Sequence, residues 1–211
     1  MNQLDYYLSA SRLCDFDREP AIQDKALKLT QGCPDKQQKV ERIYHFLKEF
    51  PYGLEDWDVK ASETLRKGWG MCCGKTNLLV AMSRALLIPA RYKIFKIKAE
   101  QRLLEWVAGR DRELTTQLGD LPMEQDHLDC EVYLDGWKTY DPARDSLFEE
   151  GLKRLGIPLE REPVTQSMIL ASIDEWAENR QKNRRFRRER QAIFARVNEQ
   201  LDRIRLLSKG L

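Results

Sequence analysis

A glycine-rich run, Gly68-Trp69-Gly70-Met71-Cys72-Cys73-Gly74, leads straight into an apolar stretch containing Leu78, Leu79, Ala81, Met82, Ala85 and Leu86. A cysteine at the amino end of a helix feels the positive end of the helix dipole and a set of unpaired backbone N–H groups. Both favour the thiolate, the nucleophilic form, and the same N–H groups can hold an oxyanion during acyl transfer. Such a nucleophile needs a base, and a third group to orient the base. The chain has two histidines, His45 and His127, so any imidazole chemistry falls on one of them. His45 lies between Tyr44 and Phe46 in an amphipathic helical pattern that already explains it. His127 precedes a hairpin signal whose second strand carries Asp141, just before Pro142. Singly, each of these residues has a plain packing role open to it.

The elements that must position these groups follow from spacing. Pro20 starts a helix with Ile22, Ala26 and Leu29 on one face and Gly32 as its stop. Asp35 with Gln38 resembles a capping box for a helix over 36–49. Ser62 and Thr64 start a short helix that Gly68 closes. Met71 to Leu87 reads as the apolar helix, ended by Pro89. Arg91 to Lys98 reads as a strand, and 100–126 as polar and irregular with a helical start. Glu131–Leu134 and Trp137–Asp141 are strands around Asp135-Gly136. Ser172 with Glu175 opens a charged helix reaching about 207. Helices first, then strands, then a long helix argue an α+β fold. Strand parity adds a condition. A two-residue loop at Asp135-Gly136 would turn Asp141 away from His127. A three-residue loop, Leu134 to Gly136, pairs Tyr133 with Trp137 and puts both on one face, with Gly136 left-handed.

Composition removes several classes. The 211 residues are 42% hydrophobic and 33% charged, which supports a real core. The longest apolar run, Leu78 to Met82, is too short to cross a bilayer, and the first residues have no basic start or apolar h-region. Five cysteines without a C-x-x-C pair suit reduced thiols in a cytoplasmic setting. Two isolated histidines give no support to a structural zinc site, and no EF-hand loop or nucleotide motif implies a cofactor. Charge is uneven. Residues 1–179 carry 25 Lys and Arg against 31 Asp and Glu, whereas 180–205 carry 10 against 3. The basic run contains Arg-Arg-Phe-Arg-Arg, which suggests an RNA-binding module. The stripe Ile193, Val197, Leu201, Ile204 instead favours docking on the body or homo-oligomerisation through the C-terminal helix. Two parts are expected: residues 1–171 as the enzyme-like domain and 172–211 as a basic amphipathic helical extension.

Two segments together resemble a known family. Gly70-Met71-Cys72-x-x-Lys75-x-x-Leu78-Leu79-x-Ala81-x-x-Arg84-Ala85-Leu86-x-Ile88-Pro89-Ala90-Arg91 resembles the nucleophile helix of transglutaminase-like thiol enzymes. His127-x-x-x-Glu131-Val132-Tyr133-Leu134-Asp135-Gly136-Trp137-x-x-x-Asp141-Pro142 is similar to that family's His and Asp strands. The resemblance implies a papain-like core, with the nucleophile helix packed on an antiparallel sheet. It assigns Cys72 rather than Cys73 as nucleophile, His127 as general base and acid, and Asp141 as the group orienting the imidazole. It implies acyl transfer from a peptide or protein amide through a thioester; hydrolysis is favoured over amine cross-linking because water is the default acceptor. A non-catalytic binding or scaffold protein on the same fold is the alternative. Trp69, Tyr52, Lys75 and Asp129 are candidate substrate contacts. The chain departs from the family at Asp129, where an aromatic is common, and at Leu87, where many relatives have glycine. The Leu87 change is expected to matter for packing only.

Overall fold

The computed structural model describes residues 4–109, 114–116, 124–182 and 190–210. The helices are α1 (Pro20–Leu29), α2 (Lys36–Lys48), α3 (Ala61–Lys67), α4 (Cys72–Ala85), α5 (Gln101–Ala108), α6 (Ser146–Arg154), α7 (Asp174–Lys182) and α8 (Arg190–Ser208). The strands are β1 (Ala90–Lys98), β2 (Glu124–Tyr133), β3 (Trp137–Tyr140) and β4 (Met168–Leu170). They form one antiparallel sheet in the order β3-β2-β1-β4. The basic Arg-Arg-Phe-Arg-Arg run lies outside the described residues.

Helix α4 is apolar on nearly every side, and residues 72–84 are all buried. Such a helix belongs in the middle of a core. It packs on β1 and β2 and is wrapped by α1, α2 and α3. Asp35 caps α2 as expected, accepting from the Gln38 N–H at 2.8 Å. Arg84 is buried and donates to the backbone carbonyls of Ala90, Ala171 and Ser9, with a longer contact to Cys14 Sγ, thereby tying β1 to two distant segments. A second apolar cluster joins α6 to α8, where the stripe Ile193, Val197, Leu201 and Ile204 is buried against Phe148 and Leu152. Gly151 permits this approach: a Cβ there would sit 2.2 Å from the Ile204 carbonyl oxygen.

Two backbone details differ from expectation. Leu87 follows α4 with φ 59° and is 75% exposed. Its N–H bonds Arg84 O and the Ile88 N–H bonds Ser83 O, a Schellman closure that calls for a left-handed residue. The glycine-to-leucine departure therefore acts on backbone conformation and not on packing. In the hairpin, Tyr133 pairs with Trp137, so the loop has three residues. The left-handed residue is Asp135 (φ 60°), however, and not Gly136. Aspartate tolerates this region better than most side chains, and the Leu134 N–H closes the loop onto Gly136 O at 2.8 Å.

Candidate active site

Gly68 ends α3 in the left-handed conformation (φ 70°), and three residues later the chain enters α4 with Met71 as N-cap and Cys72 as first helical residue. The first-turn N–H groups of α4 have no intrahelical acceptor. One neighbouring donor, the Met71 N–H, is taken by the buried Glu55 carboxylate at 2.9 Å, which also pairs with Lys67. The surrounding glycines serve this carboxylate. A Cβ on Gly70 or Gly74 would lie 3.0 or 2.6 Å from Glu55 Oε1. Cys72 and Cys73 diverge from here. Cys73 is fully buried, its thiol donates to Trp57 O at 2.9 Å, and burial pushes it well up from the ordinary thiol range. Cys72 is 5% exposed and acts on the His127 imidazole as a hydrogen-bonding neighbour.

His127 is brought in by β2, which runs seven residues further toward the N-terminus than the expected strand and pairs His127 with Phe95 of β1. The Phe95 ring lies edge-on, 5.4 Å from the imidazole. The hairpin register carries Cys130 opposite Tyr140, so Asp141, one residue beyond β3, falls beside Asp129 and on the face of His127. Both carboxylates reach the same ring nitrogen: Asp129 Oδ1 is 3.1 Å and Asp141 Oδ2 3.2 Å from His127 Nε2. Burial alone would push the imidazole down. The Asp129 and Asp141 carboxylates, which accept from the ring, and the neighbouring Cys72 outweigh it and hold His127 well above its ordinary value. Burial would likewise raise Asp141. His127, the Arg161 guanidinium and the Ala143 N–H at 2.9 Å hold it well below the usual carboxylate range instead.

The other sequence candidates divide. Tyr52 lies on a segment bridged to Gly70, which brings it to the nucleophile turn. Its half-buried ring stacks on Phe148, and its hydroxyl senses Cys72, Arg161, Arg144 and Asp141. Burial and the nearby thiol push that hydroxyl above its ordinary range. Asp129 touches the imidazole, a position for orienting the base. Trp69 is half-buried against Gly53, with Lys67 Nζ 4.4 Å from its ring centre. Lys75 does not fit a substrate contact. It is fully buried, its Nζ donates to Phe50 O at 2.7 Å and Ala143 O at 3.0 Å, and burial pushes it down to about 7. It tethers the loop that carries Asp141. His45 lies on the last turn of α2, where its ring packs against Tyr44.

Sequence reasoning missed Arg161, Arg144, Glu55 and Asp145. Asp145 caps α6 through the Phe148 N–H and accepts from the Tyr52 N–H at 2.8 Å. Arg205 of α8 grips it and also donates to Tyr52 O at 2.6 Å. Asn198 of α8 holds the Leu54 N–H at 2.7 Å and Leu54 O at 3.2 Å. The links from α8 and from Tyr52 have no local sequence signal, since each joins residues 60 or more apart. His127, Asp129 and Asp141 also place one ligand atom each within 4.8 Å of one another, close enough for a metal ion. Arg161 already neutralises Asp141, so the cluster suits an orienting network better than a cation.

Residues 23–142, which contain Cys72, His127 and Asp141, match the profile of the transglutaminase-like superfamily. A solved structure from Cytophaga hutchinsonii, described as a candidate cysteine protease, is 25% identical over 68% of this chain with a TM-score of 0.50. The chain spans 43% of the length of that protein. No curated protein matches it. With the profile spanning more than half of its length, the chain belongs to the transglutaminase-like superfamily.

Proposed function

We propose that this chain is a thiol enzyme that cleaves an amide bond by acyl transfer through a thioester on Cys72, with water as the acceptor. The observation that supports this reading best is the Cys72 thiol at the amino end of α4, beside an imidazole held by two carboxylates. His127 takes the Cys72 proton, and the thiolate attacks the carbonyl carbon. The first-turn N–H groups of α4 face the oxyanion that forms. His127 then gives its proton to the departing amine. Water, deprotonated by the same imidazole, attacks the thioester and frees Cys72. Asp141 keeps the ring in one orientation and stabilises its cationic form.

Hydrolysis is favoured over transamidation because water is the default acceptor unless a site excludes it. The test is turnover of a glutamine-containing peptide library with and without a primary amine. Release of amine or ammonia by the native chain, abolished in Cys72→Ala and reduced by orders of magnitude in His127→Ala, is the expected result. Products that incorporate the added amine at the expense of hydrolysis would move the assignment to a transglutaminase. No turnover and no thioester with any peptide would favour the binding or scaffold role.

A further inference from the structure

The fold treats its buried arginines in two ways. Arg84 spends Nε, Nη1 and Nη2 on carbonyls. Arg205 spends the same three nitrogens on Asp145, Asp202 and Tyr52 O. Arg144 does neither. It is 7% exposed, and Nη1 donates to Leu159 O at 3.1 Å and Pro158 O at 3.5 Å. Its Nε and Nη2 have no acceptor, and no carboxylate pairs with it among the described residues. Those nitrogens are not sealed in protein, because Ser83 Oγ is the one fully enclosed side-chain N or O without a partner among the described residues. They open onto accessible space.

The residues that flank Arg144 are tied to the head of α4 and to the base: Lys75, one turn beyond Cys72, donates to Ala143 O, the Tyr52 N–H donates to Asp145, and the Ala143 N–H donates to Asp141. Arg144 lies three residues beyond Asp141, and the charges it senses are those of Arg161, Asp141, the Tyr52 hydroxyl and Glu149. Tyr52 in turn senses Cys72. Of the carboxylates, Glu149 is bonded to Lys48 at 2.6 Å, and Asp141 is shared by Arg161 and His127. Burial and the like charge of Arg161 push Arg144 down to about 10. A largely buried guanidinium with no paired carboxylate is costly to the fold, and its free edge has the fork geometry that matches a carboxylate.

We infer that Arg144, next to Arg161, forms a carboxylate-binding subsite beside Cys72, so that the preferred acyl donor is an acidic peptide with its carboxylate near the scissile amide. The carboxylate has two sources, an acidic side chain or a free C-terminus. This rests on Cys72 being the reactive thiol.

The test uses the full chain and two alkylating probes of similar size, iodoacetate and iodoacetamide, with Cys72 modification followed by peptide mass. In the native chain iodoacetate gains from both His127 and Arg144. In Arg144→Gln the iodoacetate rate should fall about tenfold, the loss of one charge-assisted contact, while the iodoacetamide rate stays within about twofold. Arg144→Lys should recover part of the difference. The unchanged iodoacetamide rate separates a lost subsite from a misfolded variant. Protection against iodoacetamide then distinguishes the sources: acetyl-glutamate amide reports a side-chain carboxylate, acetyl-glycylglycine a terminal one. Protection lost in Arg144→Gln supports the corresponding arm. An iodoacetate-to-iodoacetamide ratio equal in native chain and Arg144→Gln overturns the subsite. Failure of both reagents to reach Cys72 first overturns the thiol assignment, and the subsite with it.

Discussion

Replacing Gly151 by alanine should loosen the active site from a distance. The added Cβ would lie 2.2 Å from the Ile204 carbonyl oxygen and 2.9 Å from its carbon, both backbone atoms that no rotamer change can move. An ordinary carbon–oxygen contact is about 3.3 Å or longer, so α8 must withdraw by about 1 Å. Overpacking of this kind costs roughly 1–3 kcal/mol. The next residue, Arg205, holds Asp145 and Tyr52 O at 2.6 Å, and withdrawal stretches those charge-assisted bonds as well. The combined loss should be about 3 kcal/mol. With a urea dependence of about 2–3 kcal/mol per M, the unfolding midpoint should fall by about 1 M or more. Because Arg205 and Asp145 fix the backbone on either side of Tyr52, Cys72 alkylation should change with it. Gly136→Ala is the control, since a Cβ there meets nothing within 4 Å, and its midpoint should hardly move. Equal midpoints for Gly151→Ala and the native chain would refute the α6–α8 contact and the link it makes to the site.

Three further outcomes are expected. Leu87→Gly should stabilise the chain by about 0.5–1 kcal/mol in thermal or urea unfolding, because an exposed leucine in the left-handed region loses strain and no packing. Cys73→Ala should lower stability by about 1–2 kcal/mol but leave Cys72 alkylation unchanged, as its thiol faces Trp57 O. Asp141→Asn should shift the alkaline limit of His127 protonation downward in an NMR titration. His127 is raised in the folded state, so its contribution to stability is complete below the unfolded value of about 6.5 and is lost as pH rises through the folded value. Removing one of its two carboxylates narrows that window. An unchanged limit would mean that Asp129 alone holds the ring.

The helices around the nucleophile were legible because their apolar spacing and caps are ordinary: Asp35 caps α2, and α4 begins beside the glycine run. Strand parity also called for the three-residue hairpin, because Asp141 could not otherwise share a face with His127. Strand β2 was legible only at its C-terminal end. Leu128, Cys130 and Val132 enter the apolar core and alternate with His127, Asp129 and Glu131 on the other face, but the strand begins with Glu124, Gln125 and Asp126, a polar run that offers no apolar position to read. Helix α6 was concealed by Gly151, which reads as a helix breaker and is present because another helix backbone passes against it. The grip of α8 on residues 52–56 left no local trace. Arg190, Asn198 and Arg205 look like members of a basic amphipathic tail, yet they bond Asp56, Leu54 and Tyr52.

The most direct test of the central claim is the order in which the five thiols react with limiting iodoacetamide near neutral pH, read residue by residue. Exposure alone favours Cys33, the one half-exposed cysteine, while burial pushes Cys14, Cys73 and Cys130 up from the ordinary thiol range. Activation by His127 at the head of α4 predicts that Cys72 reacts first despite its burial, and that His127→Ala slows Cys72 at least a hundredfold without changing Cys33. Modification of Cys33 before Cys72 in the native chain, or a Cys72 rate that His127→Ala leaves unchanged, would contradict the account.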